Sequence, residues 1–213
     1  MMLATANKAD RVVLNQINWE QFENLLTTLG EKRGARIAYD KGRLEIMTPL
    51  PEHEYYKQVI STAIEDIAEI LELNYECYGS TTWKDQMKAV GVEPDNCFYF
   101  QNEACVRGKL AFDLNLDPPP DLVLEIDVTS KSLNRFPIYA QLGIPEIWIY
   151  EEGTLTIYQL TNNQTYQETT TSAIFPNLPI QELPNYLETY REQGRLKMRK
   201  GIRNWIKATL SEQ

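Results

Sequence analysis

Residues 118–128, PPPDLVLEIDV, contain the strand that determines the fold class of this chain. Three prolines end any preceding helix, and the aliphatic run after them is apolar enough for an interior strand covered on both faces. IWIY at 147–150 is a second strand of this kind, and a helical segment at 133–142, ended by Gly143, lies between the two. This order predicts a β-α-β unit with parallel strands and a right-handed crossover.

The segments on either side of this unit predict further strands and helices. Asn18 and Gln21 form a capping-box pattern at the start of an amphipathic helix that Gly30 ends. A β-hairpin joins ARIAY to RLEIM through an Asp-Lys-Gly turn. The remaining predicted elements are a helix at about 52–73, strands near 75–78, 97–100 and 155–160, an edge strand after 162–163, and two C-terminal helices, the second at 195–210. We therefore expect one α/β domain over residues 1–213, with a mixed sheet, helices on both faces, an N-terminal extension at 1–17 and a basic C-terminal helix at 191–213.

The composition excludes several classes of protein. The chain has 213 residues, 43% of them hydrophobic and 24% charged, as expected of a globular domain with a sizeable core. It contains no apolar run of about 18 residues and no apolar N-terminal stretch of signal-peptide length, so a soluble cytoplasmic protein without membrane contact is expected. Three cysteines without CxxC spacing are typical of buried thiols, and not of a disulfide framework or a zinc site.

His53 is the only histidine, and this limits the possible chemistry. A His-rich metal site is excluded, and any Ser-His-Asp or Cys-His catalytic group would have to use His53. The sequence has no GxSxG, Walker A or GxGxxG motif. Because carboxylates are the abundant reactive groups, metal-assisted chemistry with oxygen ligands is the class that remains.

The charge is unevenly distributed along the chain. The net charge is −9, which argues against strong nonspecific binding to nucleic acid. Residues 191–213 nevertheless carry seven Lys or Arg against two Glu, a net charge of +5. This basic segment is either a solvated helix face or a phosphate-binding surface.

Three acids interrupt the apolar strand at 121–128. Asp121, Glu125 and Asp127 project to the same face, because the side-chain period of a strand is two. Converging buried carboxylates repel one another unless a cation lies among them, which favours a metal site. Alternatively, Asp121 only begins the strand and Asp127 caps its end by accepting from the Thr129 or Ser130 amide.

Asp95 follows Pro94 directly before the apolar CFYF, and Glu125 follows thirty residues later. A Pro-Asp pair alone is also a turn dipeptide. In combination with Glu125, however, it resembles the motif of the PD-(D/E)XK nucleases. The resemblance implies that Asp95 and Glu125 from adjacent strands bind Mg²⁺ (or Mn²⁺), which activates water for attack on a phosphodiester.

A longer series of motifs is similar to one branch of that superfamily, a cyanobacteria-rich family of restriction-endonuclease-like proteins that was formerly a domain of unknown function. The motifs are RLEIMTPLPEHE, EPDNCFYF, PPDLVLEIDVTSKS, IYAQLGIPEIWIY and FPNLPI with a basic helix, from about Trp19 to the C-terminal helix. The resemblance implies a restriction-endonuclease-like three-layer α/β/α core and a third acid on the first core helix near His53. Glu54 or Glu52 could be that acid, although acids also favour a helix N-terminus because of the helix dipole.

The chain departs from the superfamily at the lysine of the E-x-K motif. Asp127 occupies that position, and the place four residues before Tyr139, to which relatives often move the lysine, is Arg135. Arginine cannot act as a base at neutral pH, but it can bind a phosphate and stabilise charge in the transition state. Lys131, or less directly Lys84, could supply an ammonium group.

Three functions follow as hypotheses. The first is a Mg²⁺-dependent endonuclease that hydrolyses DNA phosphodiester bonds, possible as a homodimer because cutting two strands needs two sites. The second is a catalytically weak or inactive nuclease fold that binds DNA or another protein, which the missing lysine and the acidic surface favour. The third is a metal-dependent hydrolase of a small phosphoester, which would need a small enclosed pocket over the acids.

Overall fold

The structure is a computed structural model that describes residues 10–30, 33–127 and 133–211. Within these residues it has eleven strands and six helices. The strands are β1 (Arg11–Leu14), β2 (Arg36–Asp40), β3 (Arg43–Met47), β4 (Glu76–Cys77), β5 (Trp83–Asp85), β6 (Val90–Val92), β7 (Asn96–Tyr99), β8 (Leu122–Asp127), β9 (Glu146–Glu151), β10 (Thr154–Leu160) and β11 (Tyr166–Thr169). The helices are α1 (Trp19–Leu29), α2 (Pro51–Ile70), α3 (Glu103–Val106), α4 (Phe136–Leu142), α5 (Leu183–Tyr190) and α6 (Arg195–Ser211). In this part of the chain, none of the helices has the length and apolar character needed to cross a membrane.

The strands form two sheets. The larger is mixed, in the order β11-β10-β9-β8-β7-β4, and the smaller is antiparallel, in the order β1-β3-β2-β6-β5. β8 and β9 are parallel neighbours with Leu122 opposite Glu146, and α4 lies between them in the chain. The parallel strand pair expected from residues 121–150 is therefore confirmed.

The two faces of β8 pack against different layers. Leu122, Leu124 and Ile126 lie in the core formed with α2, α5 and α6. Val123 points the other way, into a core shared with α4 and with residues of β2, β5 and β6. The α/β fold with a mixed central sheet is thus confirmed, with the difference that the five-stranded sheet forms part of the second outer layer beside α4. Glu125 and Asp127 share the face of Val123, because side chains alternate along a strand.

Local signals account for the boundaries of α1 and α4. The Asn18 side chain accepts from the Gln21 amide, the Gln21 side chain accepts from the Asn18 amide, and Gly30 caps the other end of α1, as the sequence predicts. Gly143 ends α4 in the left-handed conformation. α4 begins at Phe136 instead of residue 133, because the Asn134 side chain accepts from the Phe136 amide and Pro137 occupies the first turn.

The arginines of α6 are largely engaged in pairing with α2. Arg199 donates through two nitrogens to the buried carboxylate of Asp66, at 2.6 and 3.0 Å, and Arg203 donates to Asp66 and Glu69. The basic segment predicted as a solvated face or a phosphate-binding surface therefore has a third role, which is to hold the C-terminal helix on α2.

Candidate functional site

Asp95 and Glu125 lie opposite each other in the mixed sheet, Asp95 directly before β7 and Glu125 within the antiparallel neighbour β8. Asn96 of β7 pairs with Leu124 of β8, so the residue before β7 is opposite the residue after Leu124. Asp95 has no exposed surface and Glu125 is 8% exposed. The sequence-predicted pair is therefore brought together as two buried carboxylates on one face of the sheet.

Asp95 is oriented through one of its two oxygens. Its Oδ2 accepts from the Ile126 amide at 2.7 Å and lies 3.0 Å from Nε2 of His53, on the first turn of α2. Its Oδ1 has no hydrogen-bond partner among the described residues, and the nearest cation is Nε of Arg36 at 3.9 Å. Burial alone would raise the pKa of Asp95, but the contact with His53 and the charge of Arg135 lower it below the ordinary value. Asp95 is therefore a fixed, ionised carboxylate, and no described residue donates to its second oxygen.

Glu125 has a partner on each oxygen. Tyr139 of α4 donates its hydroxyl to Oε1, and Nη1 of Arg135 donates to Oε2 at 2.6 Å. Burial raises the pKa of Glu125, and the negative charge of Asp95 raises it further, although Arg135 opposes both effects. The two carboxylates are thus shifted in opposite directions, a pattern typical of acid and base groups at a reaction centre.

Arg135 connects Glu125 to a carboxylate that the sequence analysis missed. Its Nη2 lies 3.6 Å from Oε1 of Glu45 on β3, and Arg11 on β1 lies 3.8 Å from the other oxygen of Glu45. Burial disfavours the charge of Arg135, but Glu125 raises its pKa, so that it remains a cation. Glu45 could have been found by the argument used for Glu125, since it is an acid inside the apolar strand RLEIM.

The remaining predicted residues have different positions. Asp127 is buried on the same face of β8 as Glu125, whereas Lys131 lies outside the described residues, as do Thr129 and Ser130, the partners of a possible Asp127 cap. Asp121 is used elsewhere, because its carboxylate accepts from the amides of Phe100 and Asn102 at 2.7 and 3.0 Å. Lys84 donates to Glu23 of α1 and is not part of the site.

The first turn of α2 contributes His53 and a carboxylate at the rim. Oε1 of Glu54 lies 3.3 Å from Nη2 of Arg36 and 3.8 Å from Nδ1 of His53, and the Glu54 side chain is 44% exposed. Glu52 lies away from these groups, in a cleft with Tyr56 and Glu188. Of the two alternatives for a third acid, Glu54 is therefore the one beside the central pair.

A cleft of about 60 Å³ opens over Glu125 and Asp127, between β3 and the start of α4. This is enough for an ion with a few water molecules. It is well below the roughly 300–1,000 Å³ of a typical small-ligand pocket, so the geometry expected of a small-phosphoester hydrolase is not found over these acids. Arg11, Glu45 and Arg135 line the same cleft.

The donor set of this site fits a small hard cation. Over residues 10–30, 33–127 and 133–211, no group of three His, Cys, Asp or Glu side chains is arranged to hold a metal. Mg²⁺ does not require such a group, because proteins usually bind it through one or two carboxylates and leave several of its waters in place. Oδ1 of Asp95, which has no partner in the described part of the chain, and the carboxylate of Glu125 opposite it meet this requirement.

Comparisons with other proteins agree with the fold and identify the family. The comparison with curated proteins finds no significant match. Among solved structures, the chain is similar to a protein from Anabaena variabilis described as a "putative nuclease belonging to DUF820", with a TM-score of 0.50 and 14% identity over 89% of this chain and 99% of that chain. At this identity the likeness shows the fold alone. A family model named Uma2, with the description "Putative restriction endonuclease", matches residues 19–191, and the chain therefore belongs to the Uma2 family.

Proposed function

We propose that the protein is a Mg²⁺- or Mn²⁺-dependent endonuclease that hydrolyses phosphodiester bonds of DNA. The observation that carries this proposal is the pair of opposed, buried carboxylates Asp95 and Glu125, in which Oδ1 of Asp95 has no partner among the described residues. A buried acceptor without a donor costs free energy, and a bound cation would recover it. Membership of the Uma2 family supports nucleic acid as the substrate class.

Asp95 and Glu125 are the residues that would hold the ion. Mg²⁺ bound between them would lower the pKa of a water molecule and stabilise negative charge on the phosphoryl group. His53 and the Ile126 amide keep Asp95 in one orientation, and Tyr139 does the same for Glu125. These contacts fix the carboxylates before the substrate arrives, which removes a reorganisation cost from the reaction.

Arg135 provides the positive charge that other PD-(D/E)XK nucleases take from lysine. Its raised pKa excludes proton transfer at neutral pH, so it would bind a phosphate oxygen and stabilise charge without acting as a base. Lys131, which lies outside the described residues, is a second candidate for this positive charge. Asp127, buried on the same face, would orient water next to Glu125.

The test compares Mg²⁺-dependent nicking of supercoiled plasmid DNA by the wild type and by Asp95→Asn, Glu125→Gln and Glu168→Gln. The first two variants should be inactive and should no longer bind Mn²⁺ in titration calorimetry, while Glu168→Gln, an exposed acid on β11, should behave as the wild type. Absence of divalent-ion binding by the wild type would refute the proposal, and so would full activity of both site variants.

A nuclease fold without cleavage is the second candidate, and the contacts of Arg135 favour it. The guanidinium already neutralises Glu125 and lies close to Glu45, so a metal ion would have to compete with it for the same charge. In that case the protein would bind DNA or a protein partner and hydrolyse nothing. Arg135→Lys separates the two functions, because a weaker competitor should increase both Mn²⁺ affinity and nicking if the site is catalytic.

A further inference from the structure

Glu45 is a buried acid of the five-stranded sheet that has no role in the proposed function. It lies on β3 next to Leu44, whose side chain belongs to the core formed with α1. Glu45 points to the opposite face, where it is 1% exposed and lines the cleft over Glu125. A buried carboxylate costs free energy unless it is paired. Arg11 lies beside one of its oxygens and Arg135 beside the other.

Arg135 spans the distance between Glu125 and Glu45 with the two ends of one guanidinium. Its Nη1 donates to Oε2 of Glu125 at 2.6 Å, whereas its Nη2 lies 3.6 Å from Oε1 of Glu45. The first contact is a hydrogen bond, and the second is an ion pair that is longer than a hydrogen bond. A shift of about 0.7 Å toward Glu45 would bring Nη2 to the ordinary hydrogen-bond distance. The guanidinium therefore rests on Glu125, with a second carboxylate close by.

The start of α4 holds the backbone of Arg135 in place. Its carbonyl oxygen accepts from the Tyr139 amide in the first turn of this helix. Because the shift toward Glu45 is so small, rotation about bonds of the Arg135 side chain is sufficient for it. An exchange of the guanidinium between the two acids therefore needs no movement of α4.

A cation at Glu125 and the guanidinium of Arg135 compete for the same carboxylate. Glu125 is 8% exposed, and water screens the repulsion between like charges poorly at a buried site. The guanidinium therefore has to give up Oε2 of Glu125 when a cation binds there. A buried charge that loses its partner is strongly destabilising. Glu45 is the carboxylate that already lies within ion-pair distance of Arg135.

We propose that Glu45 is a positioning residue of the metal site and that it receives Arg135 when a divalent cation occupies Glu125. This inference rests on the proposed function and adds one step to it. Nη2 passes into a hydrogen bond with Glu45, and Nη1 is released from Glu125 to bind a phosphate oxygen. The planar guanidinium, held on one side by a carboxylate, keeps its other N–H groups in a fixed direction.

The first experiment measures the affinity for Mn²⁺ by titration calorimetry in the wild type, Glu45→Gln, Arg135→Gln and the double variant. Glu45→Gln should weaken Mn²⁺ binding by about tenfold, because Arg135 loses the acceptor that lets it leave Glu125. In the Arg135→Gln background the same substitution should weaken binding by less than about threefold, since no guanidinium remains to be moved. An effect of equal size in both backgrounds would mean that Glu45 acts only through its charge, and it would overturn the proposal.

Glu103 and Arg107 provide a matched control pair away from the cleft. Glu103 is 5% exposed, and two nitrogens of Arg107 donate to it at 2.6 and 2.7 Å. Glu103→Gln, Arg107→Gln and their double variant should bind Mn²⁺ as the wild type does. Urea unfolding in EDTA establishes that each variant is folded before the metal is added.

A measurement on the wild type covers the case in which Glu45→Gln does not fold. The side-chain Nε–H resonance of Arg135 is identified by NMR from its absence in Arg135→Lys. Addition of Mg²⁺ should shift this resonance while its exchange with water stays slow, because the guanidinium passes from one carboxylate to another. A resonance that stays in place although Mg²⁺ binds would contradict the proposal, and so would exchange as fast as in free arginine.

The outcomes separate this inference from the proposed function. If the wild type cleaves DNA and Glu45→Gln weakens Mn²⁺ binding equally in both backgrounds, the role of Glu45 is wrong and the nuclease assignment stands. If the two substitutions are coupled in Mn²⁺ affinity and no DNA is cleaved, the nuclease assignment is wrong and the role of Glu45 stands. Absence of Mn²⁺ binding by the wild type would refute both.

Discussion

The two ends of the parallel strands β8 and β9 both carry buried acids, but the acids are bound in different ways. At the amino end, Asp121 and Glu146 are each 1% exposed, and both oxygens of each accept hydrogen bonds from neutral donors. Toward the carboxyl end, Glu125 is held by Arg135 and Tyr139, and Asp95 beside it keeps one oxygen without a donor among the described residues.

Glu146 shows how an acid is used to fix a loop. Its Oε1 accepts from the Trp148 indole at 2.7 Å and the Ser172 hydroxyl at 2.6 Å, and its Oε2 accepts from the Ala173 amide at 2.7 Å. These bonds tie the segment after β11 to the start of β9. Neutral donors therefore occupy both oxygens of this buried carboxylate.

This difference distinguishes acids that stabilise the fold from acids that can bind a ligand, even when both are equally buried. An acid whose acceptor capacity is filled by backbone and neutral side chains stabilises the fold. An acid that faces arginine, a second carboxylate and a water-sized cleft retains capacity for a ligand, and ligands of α/β sheets bind beyond the carboxyl ends of parallel strands. Substitution of an acid at the carboxyl end is therefore expected to reduce activity, whereas substitution at the amino end is expected to reduce stability.

The largest expected effect is on activity at the carboxyl end. Glu125→Gln should reduce Mg²⁺-dependent cleavage by at least about 1,000-fold, because a metal ion contributes several kcal/mol to such reactions. Its free energy of unfolding should equal or exceed that of the wild type, since burial already disfavours the ionised form of Glu125. Single-turnover kinetics and urea unfolding measure the two quantities. A Glu125→Gln variant that cleaves DNA but is less stable than the wild type would mean that Glu125 stabilises the fold and does not act in cleavage.

The next effect is on stability at the amino end. Glu146→Ala should lower the free energy of unfolding by about 4 kcal/mol, because the buried donors of Trp148, Ser172 and Ala173 lose their acceptor together. Urea unfolding followed by tryptophan fluorescence measures this change, with Glu168→Ala on the exposed edge strand as the control. A loss below about 1 kcal/mol would mean that water replaces the carboxylate and that Glu146 does not fix the loop.

The sequence predicts the mixed sheet and the central acids because both depend on local patterns. The apolar run around Glu125 identifies an interior strand, and an acid within it is conspicuous. The contacts of His53 with Asp95 and of Arg135 with Glu45 depend on how the five-stranded sheet and α2 lie over the mixed sheet. β5 and β6, with three residues each, are too short to show a period, and β1 falls in the segment predicted as an extension. Contacts between residues that are far apart in the sequence, such as Arg135 and Glu45, are not encoded in any local pattern.

Asp121 offers a smaller and graded test of the amino end. Asp121→Ala should cost about 2 kcal/mol in the free energy of unfolding, because the amides of Phe100 and Asn102 lose their acceptor. Asp121→Asn retains one acceptor oxygen and should cost about half as much. Neither variant should change cleavage per folded molecule, measured at a temperature at which both are folded. A specific loss of activity in Asp121→Asn would return Asp121 to the site.

The smallest expected effect is on the pH dependence of stability, and it distinguishes the two carboxylates of the site from each other. The raised pKa of Glu125 means that the native state binds its proton more tightly than the unfolded chain does. The stability linked to this group is therefore complete below the unfolded pKa of about 4.3 and is lost as the pH rises through the folded pKa. Asp95, with a lowered pKa, contributes in the opposite sense, and the stability linked to it is lost as the pH falls.

Glu125→Gln should consequently gain stability relative to the wild type as the pH is raised from about 4 to 8, because glutamine never ionises. Urea unfolding at several pH values measures the difference between the two proteins. A difference that is constant over this range would mean that Arg135 and Tyr139 already offset the cost of ionising Glu125, so that its pKa is the same in the folded and the unfolded protein.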